Sequence, residues 1–214
     1  MNTRYLFLIT ALLSLPMFAW ETVQAVIRHN SNYFYFFTIT TNLLTWIYFI
    51  SKASYVLFGH MQDVQFRNCR TKTDRIFANY SLFISINIFF VAVVFWGMLA
   101  FQFKWSFSLK STFSVFDHLI VPTLKVVDLF FFTPLEFNVP LIYGLSIGYP
   151  LLYLAVSMVR GHFVHFYPYW FINPSLIPTY ALVGIVIALV GMFVFFVWAF
   201  LKLSRKVEEK RSVQ

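Results

Sequence analysis

The sequence predicts an all-α polytopic membrane protein, a six-helix transmembrane bundle with both termini cytoplasmic, on three observations. Of its 214 residues 60% are hydrophobic and 11% charged, whereas an ordinary soluble domain carries roughly 25% charged residues. Six apolar stretches, near 5–27, 33–52, 77–103, 112–132, 138–159 and 178–202, each approach the ~20 residues that cross a bilayer. Lys and Arg crowd one set of connecting segments. Residues 1–214 are therefore expected to form a single transmembrane domain, with no room for a soluble module.

The first stretch follows Arg4 like a signal peptide. Its apolar character runs on through Trp20 to Ile27, however, and "PMFAWE" offers no small-x-small cleavage site, so it is read as a span. Span two carries Thr38, Thr41, Asn42 and Thr45 at i, i+3, i+4 and i+7, a polar stripe that should face the bundle interior. The loop before span three holds Arg67, Arg70, Lys72, Arg75 and the sole cysteine, Cys69, which excludes an intrachain disulfide and suggests a reducing compartment.

Span four contains "FDHLIVPTLKVVD", with Asp117, His118, Lys125 and Asp128 in a stretch that should lie in lipid. Ionisable groups at that depth are costly and point to function by default. Lys125 and Asp128 are three apart and can pair; on a regular helix His118 stacks over Lys125, and Asp117 over Asp128. Pro122 lacks the N–H that would bond the His118 carbonyl, so a kink and a polar pocket are expected there. After span five, "RGHFVHFYPYWFINP" mixes rings, histidines and prolines without a helical period. It reads as an interfacial belt or a lid. Span six ends in the basic tail "KLSRKVEEKR", read as a solvated helix end facing lipid headgroups.

Orientation follows the positive-inside rule. Arg4, the four cations before span three, and Lys202, Arg205, Lys206, Lys210 and Arg211 share the side of the termini. Only Arg28, Lys104, Lys110 and Arg160 fall on the other. The net charge of +8 is explained by this bias and by attraction to anionic lipid, so no nucleic-acid partner is expected. His162 and His165 have no cysteine or carboxylate beside them, and neither a metal nor a cofactor is expected. Nothing in the sequence sets an oligomeric state.

Counting about 1.5 Å per residue inward from the face opposite the termini puts Thr38 about 8 Å deep and His118 and Glu21 about 9 Å deep. Tyr153 falls at a similar level. Hydroxyl, imidazole and carboxylate are thus expected to gather at one depth from separate helices.

Three quoted segments, "FFTITTNLL" at 36–44, "HLIVP" at 118–122 with Asp128 following, and "YPLLYLAVSMVRGHFVHFYPYWFIN" at 149–173, resemble the androgen-induced (FAR-type) integral membrane proteins, as a bacterial six-span relative. The resemblance implies an integral membrane hydrolase of fatty acid esters, with membrane lipids around it and a lipid ester as substrate. It nominates Thr38 as nucleophile and His118 as base. The family's threonine stands three residues before an acidic or amide side chain and its histidine five before proline. Here Thr38 is four before Asn42 and His118 four before Pro122, so Thr41 stays a second candidate. On this reading Glu21 orients the imidazole, and Asn42 or Tyr153 donates to the oxyanion. Two alternatives stay open: a small proton-linked transporter using Glu21, His118, Lys125 and Asp128, and a noncatalytic membrane scaffold.

Overall fold

The computed structural model describes residues 19–58, 71–102, 105 and 109–212. Arg4, Arg67, Cys69, Arg70 and Lys104 lie outside them. All the regular structure among the described residues is helical. Helix α1 is described over 19–27, and a 3₁₀ turn, Ser31–Tyr35, leads to α2, Phe37–Leu57. Then come α3, Lys72–Val94; α4, Leu109–Val115; α5, Val121–Phe132; α6, Val139–Val164; and α7, Thr179–Ser212.

Local chemistry accounts for the boundaries. Thr71 and Asp74 form a reciprocal capping box at the start of α3. Asn138 caps α6, whose first turn takes a proline, where no N–H is needed. His165, at φ 52°, ends α6 in the left-handed conformation. Helix α7 runs ten residues past the expected end of span six, so the basic tail is helical as far as Ser212.

Among the described residues, three helical stretches are long and apolar enough to cross a membrane, Lys72–Leu99, Val139–Val164 and Thr179–Lys210. The threonine stripe and Lys52 dilute the hydropathy of α2. Helix α3 is the centre of the packing, touching α2, α5, α6 and α7. Leu82, Ile84, Ile86 and Ile88 are buried on all its sides. By contrast α6 and α7 leave Leu152, Val159, Phe163, Ile187 and Phe195 exposed. A continuous exposed apolar face of this kind suits contact with lipid rather than water.

Among the described residues two π turns interrupt the regular ladders. One, Phe95–Leu99, extends α3; the other, Phe116–Ile120, joins α4 to α5. In the second, the Val121 N–H bonds to the Phe116 carbonyl, five residues back. This wider turn inserts one residue, which rotates what precedes it by about 100° relative to α5. The single ionisable face expected for span four is thereby divided. Lys125 and Asp128 turn into the core, while Asp117 and His118 take other directions.

Candidate functional site

A narrow, almost wholly apolar cleft of about 80 Å³ lies between α2, α3, α6, α7 and the loop after α6. Phe90, Phe95, Leu154 and Phe193 contribute to its walls, and Thr38, Tyr153 and Tyr169 bring its hydroxyl groups. Thr38 is the second residue of α2, in the first turn, where backbone N–H groups lack helical partners. Its N–H donates to the Tyr169 hydroxyl at 3.4 Å, and its own hydroxyl lies 3.5 Å from the same oxygen. Both contacts are long, so an incoming oxygen atom can displace them. Partial enclosure raises the Tyr169 phenol above the ordinary tyrosine range, which keeps it a neutral donor.

The rest of the stripe is buried, as its spacing requires. Tyrosines of α6 tie it down. The Tyr149 hydroxyl donates to Thr40 at 2.8 Å and lies 3.3 Å from the Thr41 hydroxyl. Asn42 donates to the Thr38 carbonyl, Thr45 donates to that of Thr41, and Tyr153 donates to the Tyr35 carbonyl at 2.7 Å. One of the two amide N–H groups of Asn42 and the hydroxyl proton of Tyr153 are thus used within the protein. The Tyr169 hydroxyl and the Thr38 N–H both lie beside the Thr38 hydroxyl, at the polar end of the cleft. Tyr149 and Tyr169 join these contacts without having stood out as polar groups in the sequence. Tyr149 shares a face with Tyr153, four residues on, and this was a legible signal.

His118 stacks on Phe95, ring centroids 3.7 Å apart, and its Nδ1 lies 2.8 Å from the Ser114 carbonyl. A carbonyl only accepts, so Nδ1 carries the proton and Nε2 is left with its lone pair, the tautomer a base requires. The carbonyl that Pro122 deprives of its usual donor accepts instead from the Trp96 indole at 3.0 Å. His118 and Thr38 are not hydrogen-bonded to one another; Phe95 touches both environments, as a wall of the cleft and as the ring stacked on the imidazole. Glu21 does not orient His118 either. Its carboxylate accepts from Tyr33 at 3.2 Å and pairs with the buried Asp117.

Nearer the other end of α2 lies a sealed ionic cluster. Asp128 accepts from Lys52 at 2.7 Å, from Lys125 at 2.9 Å and from Tyr48 at 2.7 Å. Lys52 also donates to the Phe132 carbonyl and to Thr133, and Lys125 to Ser81. Lys125 sits 4.1 Å above the Tyr48 ring. The expected Lys125–Asp128 pair is present, with Lys52 as a partner that no helical spacing could indicate. Both lysines are 0% exposed, and the mutual bonding of the cluster makes it a clasp for α2, α3 and α5.

Compared with family models, with curated proteins and with solved structures, the chain matches none.

Proposed function

We propose that the chain is a six-span integral membrane protein with both termini cytoplasmic, and that it hydrolyses lipid esters at the hydroxyl end of the cleft. The observation that carries the reading is the Thr38–Tyr169 contact at the start of α2, opening on an apolar space suited to an acyl chain. The Thr38 hydroxyl attacks the ester carbonyl and the His118 Nε2 takes its proton. The oxyanion accepts from the Thr38 N–H and the Tyr169 hydroxyl, beside the positive end of the α2 dipole. Return of that proton to the leaving alkoxide releases the alcohol. Water, deprotonated by the same imidazole, then cleaves the acyl-threonine and restores the hydroxyl.

Phe95 stacks on His118 and also lines the cleft, and it opens a π turn, where the helical ladder is already relaxed, so the proposed proton transfer includes a shift of this ring. A carrier has less support. Three of the four groups that motivate it are tied off in two separate sets, Glu21 with Asp117 and Tyr33, and Lys125 and Asp128 with Lys52, and His118 belongs to neither. The test is turnover of a fluorogenic lipid ester by the full chain in detergent. Thr38→Ala and His118→Ala should each abolish it, and Thr41→Ala should keep most of it. Turnover that survives both of the first two substitutions, or is absent from the parent, overturns the reading.

A further inference from the structure

Arg160 occupies a built seat with no acid in it. On α6 its guanidinium lies 3.6 Å over the Tyr35 ring and 5.7 Å from that of Phe166, and its Nη2 donates to the Asn32 side-chain oxygen at 2.7 Å. Neither ion pair found among the described residues involves it. Glu21 is engaged with Asp117 and with Tyr33 rather than with Arg160. One N–H is used, and the remaining donors of the fork meet no acceptor among the described residues. Stacking on Tyr35 holds the fork flat, the arrangement that suits two oxygens of a phosphate.

The seat is continuous with the cleft. The Tyr35 carbonyl accepts from Tyr153, a cleft residue, and Phe36 packs edge-on against both Phe166 and Tyr169. Arg160 stands seven residues after Tyr153, hence on the same face of α6 and about 10 Å nearer the end of the bundle. Reading outward, apolar space, paired hydroxyls and an unneutralised guanidinium follow one another. That order matches acyl chain, glycerol ester and phosphate in a phosphoglyceride.

The geometry points to Arg160 as the phosphate-binding residue of a phosphoglyceride site whose acyl chain enters the cleft. This rests on the ester-hydrolase reading for its chemistry but not for its binding. The full chain in uncharged micelles is titrated with a short-chain phosphatidylglycerol, with the matching fatty acid salt and with inorganic phosphate, following tryptophan fluorescence. The phospholipid should bind, and Arg160→Gln should weaken it about tenfold or more. Arg160→Lys should recover only part of the loss, because an ammonium offers no fork. Arg28→Gln, on an exposed cation, should change nothing. If the glutamine variant loses its fold, Asn32→Ala, which loosens the seat alone, should weaken binding about threefold.

Affinity within twofold of the parent in both the Arg160→Gln and Asn32→Ala variants overturns the inference. So does fatty acid binding as tightly as the phospholipid, or inorganic phosphate competing as well as the lipid. Phospholipid bound through Arg160 but never cleaved leaves the site standing and removes the hydrolase. Cleavage of esters unaffected by Arg160→Gln does the reverse.

Discussion

Replacing Asp128 by Asn removes the anion that, among the described residues, pairs with both Lys52 and Lys125. At an effective dielectric near 20, each contact of 2.7 or 2.9 Å between Asp128 and a lysine is worth about 6 kcal/mol of gross Coulomb attraction. Much of that is offset by desolvation, and breaking a buried pair by removing one partner costs about 3–5 kcal/mol net. Lys52→Met acts differently, since it leaves Lys125 and Asp128 as a balanced pair. It should cost at most about half as much as Asp128→Asn. The assay is thermal unfolding of the full chain in detergent, for which about 3–5 kcal/mol corresponds to a fall of roughly 6–20 °C in a chain of this size. An Asp128→Asn variant within about 1 kcal/mol of the parent, or a Lys52→Met variant as damaged as Asp128→Asn, would refute the clasp.

Other outcomes follow from particular contacts. Trp96→Phe should lower stability by about 1–3 kcal/mol, because it strands the His118 carbonyl in an apolar setting. Adding Pro122→Ala supplies an N–H and should recover part of that loss in a double-mutant cycle of unfolding. Gly161→Ala should destabilise by about 1–3 kcal/mol, since a Cβ there collides with the Tyr167 ring. Relief by Tyr167→Leu, measured the same way, checks that cause. Tyr169→Phe should cost only about 1 kcal/mol in unfolding, but should reduce ester turnover about tenfold or more through kcat rather than KM.

The helical character and the interior direction of the stripe from Thr38 to Thr45 were legible because periodicity reports both. The pairing of Lys125 with Asp128 was legible for the same reason, three residues being one helical neighbour. The direction of His118 was not legible because a π turn adds a residue that no composition announces, although Pro122 lies just beyond it. Lys52 and Tyr169 were missed as partners for another reason. Each reaches its partner across 76 or 131 residues of chain, and tertiary neighbours at that separation leave no local pattern. The segment "YPYWF" stood out as irregular and aromatic, yet only the fold brings its second tyrosine to the second residue of α2.

The claim on which the rest depends is that Thr38 presents a reactive hydroxyl to an ester seated in the cleft. Treating the full chain with a lipid-tailed fluorophosphonate and mapping the adduct by mass spectrometry tests it most directly. Label should sit on Thr38 and fall at least tenfold in His118→Ala, where the base is missing. A chain that takes no label, or takes it on Thr41 or elsewhere while Thr38 stays unmodified, contradicts the account.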